Sequence, residues 1–117
     1  MTPDRPNPPR YDPSAALQQL RERYRASAPQ LVSVFRELAA QLAADPQSAA
    51  LADAVRSASH RLRGTAGSYG FDRASQLSAA LEDRATRWVA DAEADASART
   101  AIVSTFADAL EVAFASP

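Results

Sequence analysis

The chain has 117 residues, enough for one small domain, and its 13 basic and 14 acidic side chains leave a formal net charge of −1. So balanced a charge gives no overall field that would draw the chain to nucleic acid or to an anionic membrane. There is no cysteine, which excludes disulfides and thiol chemistry. No stretch is apolar enough to span a membrane, and the N-terminal residues lack the apolar core of a signal peptide, so we expect a cytoplasmic protein.

The composition favours helices. Hydrophobic residues make up 46% of the chain, aromatic residues only 7%, and there are three glycines. No run shows the alternation of a strand, so an all-α fold is predicted. Residues 1–11 hold four prolines among polar side chains, and we expect them to form a flexible Pro-rich tail ahead of a single helical domain at residues 12–117.

The first two helices are predicted from their start signals. Asp12 is a suitable N-cap and Pro13 a suitable first helical residue, so a short helix is expected here, lying across one end of the domain. A capping-box pattern at Ser27 starts a second helix, which runs to about Ala44. Whether these are two helices or one kinked helix stays open. Their apolar stripes are Leu17, Leu20 and Tyr24, then Leu31, Phe35, Leu38 and Leu42.

The third and fourth helices should form a hairpin. Asp45-Pro46 starts the third helix, which ends at about Tyr69, where Gly70 can adopt the left-handed conformation. Asp72 is a plausible N-cap for the fourth helix. Apolar residues recur at steps of three and four in both helices: Leu51, Val55, Ala58, Leu62, Ala66 and Tyr69, then Ala74, Leu77, Leu81, Ala85 and Trp88.

The last helix follows an acidic, weakly patterned turn at residues 90–98. Its stripe is Ile102, Phe106, Ala109 and Ala113, widened by Val103, Leu110 and Phe114. Amphipathic helices joined by short loops cannot bury their stripes alone. The predicted fold is therefore an antiparallel up-down four-helix bundle with an additional short N-terminal helix, in which Tyr69, Phe71 and Trp88 are core residues.

The only histidine of the chain, His60, is predicted to be exposed. It lies two residues from Leu62, about 200° round the helix, and so points away from the core. Its face also carries Arg56, Arg63, Gly64 and Gly67. Because each glycine costs a helix interior roughly 0.8–1 kcal/mol relative to alanine, the pair is expected to serve a purpose, which is steric room beside the imidazole. An exposed imidazole with arginines and open surface around it suits a bulky anion delivered by another macromolecule.

The run from His60 to Phe71 resembles the histidine phosphotransfer (HPt) domain, whose motif is roughly His-x-Leu-Lys-Gly followed by small residues, an apolar residue and glycine. The matching residues are His60, Leu62, Gly64, Thr65, Ala66, Tyr69 and Gly70. Arg63 stands where the family usually has lysine, in a chain that contains no lysine. The resemblance covers about residues 14 to 115, and in motif it is closest to the phosphoacceptor domain of chemotaxis-type histidine kinases.

The resemblance implies a phosphorelay intermediate in two-component signalling. His60 would accept a phosphoryl group and pass it to or from the aspartate of a response-regulator receiver domain. Glu82, on the next helix, would orient the imidazole by accepting a hydrogen bond from Nδ1–H, and Arg63 would stabilise the phosphoryl charge. The partner-docking residues would be Arg56, Gly64 and Gly67. The sequence shows no nucleotide loop and no cluster of metal ligands, so we expect a phosphocarrier without cofactor or metal, not an enzyme, with a receiver domain or histidine kinase as its partner.

Two other functions stay open on the sequence alone. The bundle could be a non-phosphorylated adaptor or inhibitor that binds a kinase or receiver domain, or it could be an oligomerisation module. Polar faces between the apolar stripes favour a monomer. A close helix crossing is a rival explanation for Gly67, and an ordinary ion pair is one for Glu82.

Overall fold

The computed structural model describes residues 12–115, and within that range all regular structure is helical. The helices are α1 (Pro13–Ala26), α2 (Ala28–Ala44), α3 (Ala49–Ser68), α4 (Asp72–Ala90) and α5 (Arg99–Ala115). The predicted all-α fold, a bundle of four long helices preceded by a shorter one, is confirmed. The predicted flexible tail at residues 1–11 lies outside the described residues.

The start of α1 agrees with the prediction, whereas the start of α2 does not. Asp12 caps α1, because its carboxylate accepts a hydrogen bond of 2.9 Å from the backbone N–H of Ser14. The side chain of Ser27 makes no capping hydrogen bond to α2, so the predicted capping box is wrong. Its hydroxyl instead donates to the carbonyl of Tyr24 in α1. With φ −84° and ψ −5°, Ser27 is itself nearly helical, so α1 and α2 are two helices separated by a single residue.

The hairpin of α3 and α4 has sharper ends than the sequence indicated. α3 begins three residues later than predicted, where the Ser48 hydroxyl accepts a hydrogen bond of 3.1 Å from the N–H of Leu51. Gly70 has φ +79°, the left-handed conformation that was predicted. α4 begins at Asp72, with Phe71 as its N-cap, so Asp72 lies in the first turn rather than in the capping position. Its negative charge still favours that helix end.

The bundle consists of two antiparallel pairs, α3 with α4 and α2 with α5, while α2 and α3 pack more loosely. On α2, the Arg36 guanidinium contacts Asp108 at 2.8 Å and Glu111 at 2.7 Å on α5. In the core between these helices, the rings of Phe35 and Phe106 meet edge to face with centroids 4.7 Å apart. The close α3–α4 pair is the one that carries His60.

The buried face of α5 is centred one residue away from the predicted stripe. Ile102, Ala109 and Ala113 are only half-buried. The buried positions are Val103, Phe106, Ala107, Leu110 and Phe114, together with Arg99 at the start of the helix. The residues that were expected to widen the stripe therefore form its centre, because α5 contacts α2 on one side and α4 on the other.

An aromatic cluster closes one end of the bundle. Tyr24 of α1 stacks on Tyr69, with ring centroids 4.8 Å apart, and packs against Phe71 and Phe114. Phe71 is buried and Tyr69 half-buried, as predicted for core residues. Within α1, it is the last turns that cover this end, because the side chain of Leu17 remains 51% exposed and α1 has no buried residue.

The acidic loop at the other end is organised by Arg99. Although it is a charged residue, Arg99 is fully buried, and its guanidinium donates to the carbonyl oxygens of Pro46, Asp91, Ala92 and Ala94 at 2.8–3.1 Å. The same loop is bound to α4, where the buried Trp88 indole donates to the carboxylate of Asp95 at 2.9 Å. The interior therefore contains an arginine that the apolar periodicity did not indicate.

Candidate functional site

His60 lies on the open face of α3, where 70% of its side chain is exposed. The neighbouring residues fix this orientation. Ser59 is fully buried and donates its hydroxyl to the carbonyl of Val55, and Leu62 is 3% exposed. With these two residues in the core, helical geometry turns residue 60 outward. The predicted exposure of the imidazole is confirmed.

Glu82 reaches His60 from α4. Its Oε2 lies 2.6 Å from Nδ1 of His60, and its side chain is only 13% exposed because it follows the buried Leu81 at the edge of the core. Burial opposes ionisation of Glu82, but hydrogen bonds from His60 and Arg63 outweigh it and hold the pKa of this carboxyl below its usual value. At neutral pH Glu82 is therefore a carboxylate and can only accept hydrogen bonds.

The charge of Glu82 fixes the tautomer of the imidazole. Since the carboxylate only accepts, Nδ1 of His60 must carry the hydrogen. In the neutral ring, the lone pair then resides on Nε2, for which residues 12–115 supply no hydrogen-bond partner. The exposed imidazole is thus hydrogen-bonded through Nδ1 to a carboxylate, and its other nitrogen carries the lone pair.

The two arginines on this face are both held by carboxylates. Arg63 donates to Oε1 of Glu82 at 3.1 Å, so one carboxylate binds both His60 and Arg63. Arg56 donates through two nitrogens to Asp53, at 3.0 and 2.6 Å, within α3. Arg63 is 53% exposed and keeps further N–H donors for an anion beside His60. The docking role of Arg56 stays a prediction.

The two glycines on this face have different surroundings. A Cβ at Gly64 would meet nothing within 4 Å, whereas one at Gly67 would lie 3.2 Å from the hydroxyl of Ser75 on α4. That hydroxyl donates to the carbonyl of Arg63 at 2.9 Å. Gly67 thus permits a close crossing of α3 and α4, the rival explanation considered above, while Gly64 leaves open surface beside the imidazole.

Sequence reasoning did not find Ser75 or Arg61 as members of this region. Ser75 hydrogen-bonds to the backbone of α3. The sequence feature that could have indicated it is a small polar residue one turn into α4, the helix that packs against the glycines of α3. Arg61 lies exposed at the edge of a groove between α2 and α3. The sequence feature that could have indicated Arg61 is that it follows His60 directly, at a position that the family motif leaves unspecified.

The described part of the chain has neither a cluster of metal ligands nor a membrane-spanning helix. In residues 12–115, no three side chains of the histidine, cysteine, aspartate and glutamate types come together as a metal site would require. In the same range, none of the helices combines the length and hydropathy that a membrane crossing needs.

A helical bundle with one oriented, exposed imidazole has the architecture of a histidine phosphotransfer domain. Comparison with protein families agrees, because the family model described as "Hpt domain" matches residues 19–113. The chain belongs to the Hpt domain family. Hpt domains are phosphocarriers rather than enzymes, take part in phosphorelays and interact with kinases or receiver domains. No curated protein and no solved structure matches the chain.

Proposed function

We propose that His60 accepts a phosphoryl group on Nε2 and exchanges it with the aspartate of a response-regulator receiver domain. The observation that carries the proposal is the 2.6 Å hydrogen bond between Nδ1 of His60 and Glu82, on an imidazole that is 70% exposed. It directs the lone pair of the neutral ring to the nitrogen that faces away from the protein.

In this transfer, the lone pair of Nε2 attacks the phosphorus of the aspartyl phosphate. A P–N bond forms, the P–O bond to the aspartate breaks, and the bonding electrons leave with the carboxylate. No proton has to leave Nε2, because the ring hydrogen is on Nδ1. The ring gains positive charge as the bond forms, and the ionised Glu82 stabilises that charge. Return transfer follows the same steps in reverse.

Arg63 supports the phosphorylated state. Its guanidinium lies within 3.1 Å of Glu82, one helical turn from His60, and its free N–H groups supply charge-assisted hydrogen bonds to phosphoryl oxygens. The partner supplies the metal ion or nucleotide that activates the phosphoryl group. Gly64 leaves the surface beside the ring open for that partner. In this proposal the domain acts as a monomer in the cytoplasm.

The test is transfer of labelled phosphate from a phosphorylated receiver domain, or from a histidine kinase of the same organism, to the wild-type domain and to His60→Gln. Acid-labile, alkali-stable label on the wild type that is absent from His60→Gln supports the proposal. Circular dichroism of both proteins provides the control for folding. A folded wild type that takes no label from any donor overturns the proposal and favours the non-phosphorylated adaptor.

A further inference from the structure

Arg56 lies between Asp53 and His60 on one stripe of α3. Asp53 precedes it by three residues and His60 follows it by four, spacings at which side chains are neighbours on a helix surface. Asp53 and His60 themselves are two turns apart, about 10 Å along the helix axis. Arg56 is therefore the residue of this stripe that can reach both of them.

In the structure, the guanidinium of Arg56 is bound to Asp53. Its Nε and Nη2 donate to Oδ1 of that carboxylate at 3.0 and 2.6 Å. The pair lies at the surface, because the side chain of Arg56 is 39% exposed and that of Asp53 is 55% exposed. Ion pairs that water can reach are weak, so a stronger anion beside Arg56 can replace the carboxylate.

The direction of helical side chains places such an anion within reach of Arg56. Side chains of an α-helix point back towards its N-terminus and cover the preceding turn. For the exposed His60, the preceding turn contains Arg56. A phosphoryl group on the imidazole brings three acceptor oxygens and more negative charge than one carboxylate has. Arg56 then has two competing partners, one on each side of it along the helix.

Asp53 differs from Glu82, the carboxylate that holds the other arginine beside the imidazole. Glu82 also binds Nδ1 of His60, so it is itself a component of the site. Within residues 12–115, Asp53 makes no hydrogen bond and no ion pair except with Arg56. Any effect of Asp53 that depends on contact therefore passes through Arg56.

We propose that Asp53 shortens the lifetime of phosphohistidine by competing for Arg56. The inference rests on the proposed function. While the guanidinium is on Asp53, it does not hold the phosphoryl oxygens, and the P–N bond breaks more readily. Asp53 is thus a positioning residue, which acts on the reaction by controlling where the charge of Arg56 lies.

The loss of the phosphoryl group to water shows how this control works. The oxygen of water bonds to phosphorus, the P–N bond breaks, its electrons return to Nε2, and both protons of the water leave with the phosphate as H2PO4⁻. The transition state of such a transfer is loose, and negative charge moves from the phosphoryl oxygens to the ring as the bond breaks. A guanidinium on those oxygens stabilises the phosphohistidine more than the transition state, so it slows the reaction.

The experiment measures the half-life of phosphohistidine. The domain is phosphorylated with phosphoramidate, a small phosphoryl donor, the donor is removed, and the decay is followed by ³¹P NMR. For Asp53→Asn we expect the half-life to rise about two- to fivefold, the range that the strength of an exposed ion pair allows. Asp53→Glu keeps the ion pair and should keep the wild-type half-life. Asp83→Asn is the matched control, because Asp83 is exposed and makes no ion pair within residues 12–115.

A double variant separates competition for Arg56 from simple repulsion between Asp53 and the phosphoryl group. Arg56→Gln should have a shorter half-life than the wild type, and adding Asp53→Asn to it should cause no further change. A half-life that Asp53→Asn lengthens equally without Arg56 indicates repulsion and overturns the inference.

Two further results would overturn the inference while leaving the proposed function standing. These are an unchanged half-life for Asp53→Asn and an equal rise for Asp83→Asn. Circular dichroism of each variant provides the control for folding. A folded wild type that takes no phosphoryl group even from phosphoramidate overturns the proposed function itself.

Discussion

Glu82 binds Nδ1 of His60 through one carboxylate oxygen and Arg63 through the other, at 2.6 and 3.1 Å. Because Glu82 belongs to α4 and the other two residues to α3, the orientation of the imidazole depends on the packing of these two helices. The close crossing at Gly67 and Ser75 lies one to two turns away along the same interface. The site is thus held by the tightest helix pair of the bundle.

Glu82→Gln should slow phosphotransfer about 10- to 100-fold, by analogy with the loss of carboxylate partners from metal-binding histidines. Glutamine keeps the shape of the side chain but cannot stabilise the positive charge that the ring gains. It can also present its amide N–H to Nδ1, which would favour the other tautomer. Single-turnover transfer from a phosphorylated receiver measures the effect.

Asp83→Asn is the matched control for this variant. Asp83 is exposed, adjacent to Glu82 in sequence and outside the hydrogen bonds of the site. Its replacement removes the same charge and should leave the rate within about twofold, because surface charges at this distance are screened. Equal rates for Glu82→Gln and the wild type would show that Glu82 does not orient the ring.

Much of this arrangement could be predicted from the sequence. The apolar stripe of α3 fixes which residues are buried, and Leu62 in the core requires His60 to be outside it. Glu82 follows a buried leucine on the next helix of a hairpin, so the sequence placed it at the interface, where the structure has it. Gly70 indicated the turn between the two helices because few other residues adopt a positive φ.

Features that depend on the distance between helices could not be predicted. Gly64 and Gly67 are alike in sequence. Only the position of Ser75 distinguishes Gly67, which packs against α4, from Gly64, which faces open space. The groove beside Arg61 exists because two neighbouring helices pack loosely, and periodicity within one helix contains no such information. Arg99 was not expected in the core, because its partners are backbone carbonyl oxygens from two distant loops.

Asp95→Asn should reduce stability at neutral pH by about 1 kcal/mol, because an amide oxygen can still accept from Trp88 but lacks the charge that strengthens the hydrogen bond. The hydrogen bond from Trp88 lowers the pKa of Asp95, and the charge of Arg84 adds to this effect. A carboxyl group whose pKa is lower in the folded state stabilises the protein at pH values above its unfolded-state pKa. That contribution is lost as the pH falls through the folded-state pKa. The gap in unfolding free energy between wild type and Asp95→Asn should therefore close in acid.

Urea unfolding between pH 7 and pH 3 measures this gap, and Trp88, the only tryptophan, reports it by fluorescence. Glu93→Gln, in the same loop, is the control because Glu93 is exposed and its side chain makes no ion pair within residues 12–115. A gap that stays constant or widens as the pH falls would contradict a stabilising ionised Asp95.

Arg99→Met should destabilise the bundle by about 3 kcal/mol. Methionine fills similar space but leaves carbonyl oxygens of both loops without their buried donor, and unsatisfied polar groups are costly. Urea unfolding followed by circular dichroism gives the free energy, with the exposed Arg87→Met as the control. A loss below about 1 kcal/mol would mean that water replaces the guanidinium at these carbonyls.

Gly64→Ala and Gly67→Ala should have different effects on stability. Alanine is favoured over glycine in a helix interior by about 0.8–1 kcal/mol. At residue 64 the added methyl group meets open space, so the variant should gain that amount. At residue 67 it lies 3.2 Å from the hydroxyl of Ser75, so the hydrogen bond to the carbonyl of Arg63 is strained and the gain is reduced or reversed.

Ser75→Ala combined with Gly67→Ala separates these causes, because removing the hydroxyl also removes the contact. In urea unfolding, the step from glycine to alanine at residue 67 should be more favourable in the Ser75→Ala variant than in the protein that keeps Ser75.

For Gly64→Ala and the wild type, the order of phosphotransfer rates should be the opposite of the order of stability. The methyl group of Gly64→Ala lies beside His60, on the surface proposed to face the partner. This more stable variant should therefore accept a phosphoryl group more slowly from a receiver. From phosphoramidate, a small phosphoryl donor that needs no docking surface, it should accept one at the wild-type rate. Equal transfer from the receiver by Gly64→Ala and wild type would show that the partner does not approach on this side of the imidazole.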